Sequence, residues 1–193
     1  MKRLLLRPLC KRTVPVGRTR PRHLWVLAGL FICILATTGL AQDYTWITNS
    51  GTITITDYTG PGGDVTVPSN LAGKVVTHLG TNAFSEVTTL TSVTLPDSIT
   101  TIEEGAFTSC SNLTSVAFGD SVTTIGNGVF AFCGNLLSAT LPNSITNMGG
   151  LVFNQCYRLA SVTLPNNITA IQAYTFDACA SLASVTLPNS VTA

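Results

Sequence analysis

Cys110, Cys133, Cys156 and Cys179 are the most chemically versatile side chains of this sequence, and they recur at intervals of 23 residues. Thiolates hold zinc when four ligands converge on one ion at about 2.3 Å. A fixed interval opposes convergence: if successive segments lie side by side like strands, their cysteines form a line at roughly 5 Å spacing. Such a line cannot surround one metal, so no metal site is assigned. It does permit disulfides between neighbours in an oxidising compartment, and it equally suits cysteine as a compact buried hydrophobe. Each cysteine follows a phenylalanine by three residues, at Phe107, Phe130, Phe153 and Phe176. The buried free thiol is therefore the expected state, with the inter-segment disulfide as its alternative.

The other chemically capable residues form no catalytic set. His78 is the only histidine after residue 41, and no Asn or Asp stands in a recognisable motif to orient it beside a nucleophile. The serines lie in repeated Ser-Val and Asn-Ser contexts without a G-x-S-x-G elbow. Glu103 and Glu104 are paired carboxylates at a variable position, which reads as a solvated turn. Asp57 and Asp64 flank the glycine-rich Gly60–Gly63 segment, where calcium is conceivable, but their spacing matches no calcium loop. No catalytic residue, metal or cofactor is assigned, and the chain reads as a non-enzyme.

The spacing of the cysteines comes from the chain as a whole. From Leu90 onward one 23-residue segment is written four times and begun a fifth: LTSVTLPDSITTIEEGAFTSCSN, LTSVAFGDSVTTIGNGVFAFCGN, LLSATLPNSITNMGGLVFNQCYR, LASVTLPNNITAIQAYTFDACAS and LASVTLPNSVTA. A period of this length marks a solenoid, in which each copy forms one coil stacked on the last. Val93 and Leu95 share one face of a strand, with Ser92 and Thr94 on the other. Pro96 ends that strand because it cannot donate to the ladder, and Asp97 or its counterparts Asp120, Asn143, Asn166 and Asn189 form the turn. Ile99 and Ile102 imply a bend or a short second strand. The stretch from Glu103 to Phe107 supports at most one helical or 3₁₀ turn. A single coil cannot bury its apolar side alone, so stability must accumulate by stacking.

The LPDSITTI, LPNSIT and LPNNITAI runs, each followed by Phe-x-x-Cys-x-x-Leu, resemble the BspA-like, or Treponema pallidum type, bacterial leucine-rich repeats. Phe107, Cys110 and Leu113 carry that motif, and it recurs at Phe130, Cys133 and Leu136. The resemblance covers about residues 65 to 193. Gly119 stands in place of the proline, Ala139 of the strand valine and Met148 of the second-strand isoleucine, which affects local packing rather than the fold. The resemblance implies a β-rich solenoid, a leucine-rich-repeat right-handed superhelix of 23-residue coils with short helical or 3₁₀ turns. It also implies an exported bacterial protein engaged in adhesion or protein–protein contact.

Residues 1–41 read as an export signal: a basic segment, the apolar run Leu24–Leu35, and small residues Gly39 and Ala41 before a cleavage site. The alternative is an uncleaved signal anchor, although the run is short of the roughly 20 residues of a full span. Eight of the ten basic residues lie there; Lys74 and Arg158 alone face nine carboxylates after it, a formal charge of −7. A nucleic-acid partner is excluded, since phosphate neutralisation needs many cations. Residues 42–89 read as N-terminal strands, at Tyr44–Trp46 and Thr52–Thr56, and a divergent capping repeat with an insertion around Ala72-Gly73-Lys74. Residues 90–193 are four full repeats and a truncated fifth.

The candidate binding face is the outward side of the first strands: Ser92 and Thr94, Ser115 and Ala117, Ser138 and Thr140, Ser161 and Thr163, Ser184 and Thr186. These form columns of small, mostly hydroxyl side chains. Few aromatic or Arg anchors lie on them, so binding through the columns alone is expected to be weak and strengthened by multivalency. The expected protein is secreted or displayed at the cell surface, with an extracellular protein or surface ligand as partner and membrane contact only through an uncleaved leader. The rival readings are a structural spacer in a longer surface protein and an accessory module of an enzyme encoded downstream.

Overall fold

The computed structural model describes residues 43–192. The leader assigned to residues 1–41 lies outside them. Strands β1 (Tyr44–Asn49) and β2 (Thr52–Tyr58) form an antiparallel hairpin closed by Ser50 and Gly51, both at positive φ. Two such residues give the turn whose twist matches the strands. The remaining strands are β3 (Gly63–Thr66), β4 (Asn70–Leu71), β5 (Lys74–Leu79), β6 (Leu90–Thr94), β7 (Thr101–Ile102), β8 (Ser115–Ala117), β9 (Thr124–Ile125), β10 (Ser138–Thr140), β11 (Asn147–Met148) and β12 (Ser161–Thr163). The insertion expected around Ala72-Gly73-Lys74 is the β4–β5 hairpin, which turns through Ala72 and Gly73, again at positive φ.

Parallel pairing in the 23-residue register builds the solenoid. One sheet runs β1-β2-β5-β7-β9-β11, so the short second strand follows every first strand in coils one to three. The first strands pair as β3-β6-β8 and as β10-β12. Between β8 and β10 the strand pairing lapses, and Leu137 N donates to Thr114 O at 3.1 Å just before it. This break follows the coil in which Phe118-Gly119 replaces Leu-Pro. Phe118 meets Phe130 edge-on at 5.9 Å, and a Cβ on Gly119 would sit 2.6 Å from Pro96 O, so glycine there lets two coils approach closely.

The third side of each coil differs from the helical or 3₁₀ turn allowed by the sequence. Ala106, Thr108 and Cys110 donate to Glu103, Gly105 and Phe107 in overlapping i→i+3 turns. A 3₁₀ run would place such a bond at every residue. Here the alternate amides of Gly105, Phe107 and Ser109 donate instead to Asn127, Val129 and Ala131 of the next coil. Two residues per coil take the left-handed conformation that makes this possible: Asn82 and Glu86, Gly105 and Ser109, Gly128 and Phe132, Leu151 and Gln155, Tyr174 and Ala178. Among the described residues there is no helix, and none long and apolar enough to cross a membrane.

A column of rings fills the interior. Tyr58 and Phe84 stack at 4.9 Å, Phe84 and Phe107 at 5.0 Å, and the stack continues through Phe130, Phe153 and Phe176 at 5.5–5.9 Å. Tyr44, packed on Tyr58 at 5.2 Å, closes the N-terminal end, and burial drives its hydroxyl pKa up. The last coil sits more loosely. Ser184–Thr186 form no assigned strand, and Ser181 N to Tyr157 O, Ser190 Oγ to Ile168 O and Thr192 N to Thr169 O hold the segment.

Candidate recognition surface

The expected columns form in two parts, on either side of the lapse between β8 and β10. Ser92 stands beside Ser115 and Thr94 beside Ala117, while Ser138 stands beside Ser161 and Thr140 beside Thr163. Pleating explains the arrangement, since Val93, Val116, Ala139 and Val162 point inward between them. Thr94, Ser115, Ala117, Ser138, Thr140, Ser161 and Thr163 are exposed. Ser184 and Thr186 are exposed too, though outside a strand.

Ser92 departs from the expectation of a free hydroxyl. It is half-buried, and its Oγ donates to Asp64 Oδ1 at 2.7 Å, while Thr91 Oγ1 donates to the same oxygen at 2.8 Å. The Ser92 bond first, and the Thr91 bond second, lower the Asp64 pKa. Asp64 and Thr66 pair with Ser92 and Thr94, so they head the two columns. The sequence analysis missed them as face residues. The signal was present: Asp64-Val65-Thr66-Val67-Pro68 lies in phase with Ser92-Val93-Thr94-Leu95-Pro96.

The residues considered for chemistry are dispersed. Asp64 is engaged by hydroxyls, whereas Asp57 lies on β2 opposite Thr45. His78 Nδ1 shares a hydrogen bond with its neighbour Thr77 Oγ1 at 2.8 Å. Glu103 is more than a solvated turn residue: its Oε2 accepts from Thr81 N and Thr81 Oγ1, both at 3.0 Å, and links the capping segment to the first full coil. Among the described residues, no three His, Cys, Asp or Glu side chains are grouped to hold a metal ion.

The repeat cysteines are free thiols with one role each. Cys110 Sγ donates to Phe84 O at 3.0 Å, and Cys133, Cys156 and Cys179 donate to Phe107, Phe130 and Phe153 O at 3.1 Å. Each therefore fills a small slot and supplies a donor to a carbonyl of the preceding coil. Burial pushes the Cys110 and Cys156 thiols up to about 12 and that of Cys133 well above its ordinary value. Cys179 is raised as well, again chiefly by burial.

Residues 77–193 match the BspA type leucine-rich repeat region in six copies. Among solved structures, a leucine rich cell surface protein from Faecalibacterium prausnitzii is 27% identical, with a TM-score of 0.56 over 78% of this chain and 54% of that one. A leucine-rich repeat protein from Bacteroides capillosus is 28% identical, with a TM-score of 0.52 over 68% of this chain and 94% of that one. The Treponema pallidum leucine rich repeat protein shares the fold at 23% identity, with a TM-score of 0.54 over 76% of this chain and 91% of that one. This chain thus spans nearly all of the Treponema protein and about half of the Faecalibacterium one. No curated protein sequence matches it. The repeat match covers more than half of the chain, and the chain belongs to the BspA-type leucine-rich-repeat family.

Proposed function

We propose that this is an exported, non-catalytic leucine-rich-repeat protein that serves adhesion or protein–protein recognition at the cell surface. The observation that carries the reading is the pair of mostly exposed columns on the first strands, in register from Asp64 and Thr66 to Ser115 and Ala117 and again from Ser138 and Thr140 to Ser161 and Thr163. Small hydroxyl side chains lose little rotamer entropy on contact and donate or accept as a partner requires. Export is supported by the basic and apolar leader pattern before Gln42. The Faecalibacterium relative, described as a cell surface protein, supports the same location.

The test is surface plasmon resonance of the chain from Gln42 onward against a panel of extracellular and cell-surface proteins. A bound protein released by Ser138→Arg with Ser161→Arg supports recognition through the columns. The absence of any binder in the panel, or hydrolytic activity in the purified chain, counts against the reading.

A further inference from the structure

The anchors missing from the columns lie at their edge. Phe132, Leu137 and Tyr157 are 48%, 44% and 50% exposed, where the equivalent positions of the first full coil hold Ser109, Thr91 and Ser111. The fourth coil has Ala178, Ala160 and Ala180 there, so the bulk is confined to coils two and three and the fold does not require it. Phe132 takes φ 62, the left-handed conformation that Ser109, Gln155 and Ala178 share at the same position.

Specific contacts hold Tyr157 and Arg158 against the preceding coil. The Tyr157 ring passes over Gly134, its Cδ2 3.5 Å from the place a Cβ would take. Its hydroxyl donates to Gln155 Oε1, and Gln155 occupies the Phe132 position one coil later. Arg158 N donates to Gly134 O at 3.2 Å, and Arg158 Nη1 donates to Asn135 Oδ1, also at 3.2 Å. The guanidinium is thereby held at Asn135 of the preceding coil, and no carboxylate among the described residues pairs with it. Arg158 is the only cation after Lys74, in a stretch that carries Glu86, Asp97, Glu103, Glu104, Asp120 and Asp177.

We infer that this corner is the anchoring site for a protein segment bearing one carboxylate next to an aromatic or branched apolar side chain. The inference rests on the protein-recognition reading above. Charge complementarity selects the occupant. The planar Arg158 fork fits a carboxylate, Phe132 and Tyr157 offer ring faces, and Leu137 extends the apolar ground toward Ser138. The excess of carboxylates along the rest of this stretch disfavours further negative charge, so the segment is otherwise neutral or basic. Tyr, Arg and Phe are also the side chains that concentrate energy at interfaces, whereas Ser and Thr beside them contribute complementarity.

The experiment is selection of random twelve-residue peptides, displayed on phage, against the chain from Gln42 onward. The expected result is enrichment of peptides with one Asp or Glu within a few residues of an aromatic or Leu. Tyr157→Ala is expected to weaken those peptides by about tenfold or more. Arg158→Glu is expected to invert the charge preference, selecting Lys or Arg at the same place. Both residues are exposed, so unchanged unfolding midpoints exclude a folding defect, and a reversed preference cannot arise from misfolding. Enriched peptides that lack a carboxylate, or the absence of enrichment, overturn the site. Peptides indifferent to Tyr157→Ala and Arg158→Glu but lost with Ser138→Arg and Ser161→Arg overturn it too, while leaving recognition through the columns intact. Binding of oligosaccharides or anionic vesicles that depends on Tyr157, without peptide binding, likewise overturns it.

Discussion

At the scale of single residues, cysteine combines two properties that neither alanine nor serine matches. It is apolar enough for a slot beside the stacked phenylalanines, and its S–H reaches a carbonyl of the preceding coil. Burial keeps the proton on: the Cys110 and Cys156 thiols ionise only near 12. Native protein is therefore expected to resist thiol-modifying reagents, and all four repeat thiols should titrate after denaturation without reductant. Fewer than four would indicate inter-coil disulfides. The same shifts predict a pH dependence. In the unfolded chain these thiols lose protons near their ordinary value of about 8.5, while the folded chain holds them to about 12. Above that ordinary value the unfolded state binds fewer protons, so stability falls as pH rises through this window and levels off beyond it. Urea midpoints recorded across the window should decline, and Cys110→Ala with Cys156→Ala should flatten the decline.

At the scale of elements, the repeat pattern made most of the solenoid legible: the first strand closed by Pro96, the second strand at Ile102, and the Phe–Cys core positions all follow from apolar phase. Phe130→Ala in a middle coil is accordingly expected to cost about 3–5 kcal/mol, against about 0.5 kcal/mol or less for exposed Glu104→Ala; equal losses in denaturant melts would refute the register. The third side was not legible, because its alternation of local and inter-coil bonds depends on left-handed residues that carry no common signature. Glycine marks the first of them at Gly105 and Gly128, but Leu151 and Tyr174 occupy the same place. Gly128→Ala isolates the cost of that conformation, since the added methyl would find Ala131 Cβ no nearer than 3.7 Å. A loss of about 1–2 kcal/mol is expected in the same melts. The bond from Ser92 to Asp64 was hidden for another reason: the partners stand 28 residues apart, across the one repeat interval that departs from 23. The Phe132–Tyr157–Arg158 corner was hidden because its residues occupy variable positions, where a repeat pattern predicts nothing.

At the scale of the whole molecule, the third side has a polarity that the strand sides lack. At every coil interface its amides point the same way: Asn82, Phe84 and Glu86 donate to Glu104, Ala106 and Thr108, and Leu151, Phe153 and Gln155 to Ala173, Thr175 and Asp177. On the strand sides the sense alternates, with Thr123 donating back to Thr100 but Leu95 donating forward to Ala117. The third side therefore ends, at the C-terminal edge of the described residues, in the amides of Tyr174, Phe176 and Ala178, which have no acceptor among those residues. An edge made only of donors cannot pair with its own two-fold copy along this column, because donor would face donor. It can pair with carbonyls presented in the same register, which is what an additional coil offers. Amide exchange should distinguish the two sides of this boundary. The amides of Leu151, Phe153 and Gln155 are expected to be protected, and those of Tyr174, Phe176 and Ala178 to exchange rapidly in the chain from Gln42 to Ala193. Extending that chain with one further in-phase coil should slow all three. If they are already protected without it and the protein sediments as a dimer, the edge is satisfied by self-association and the one-way polarity does not govern its pairing.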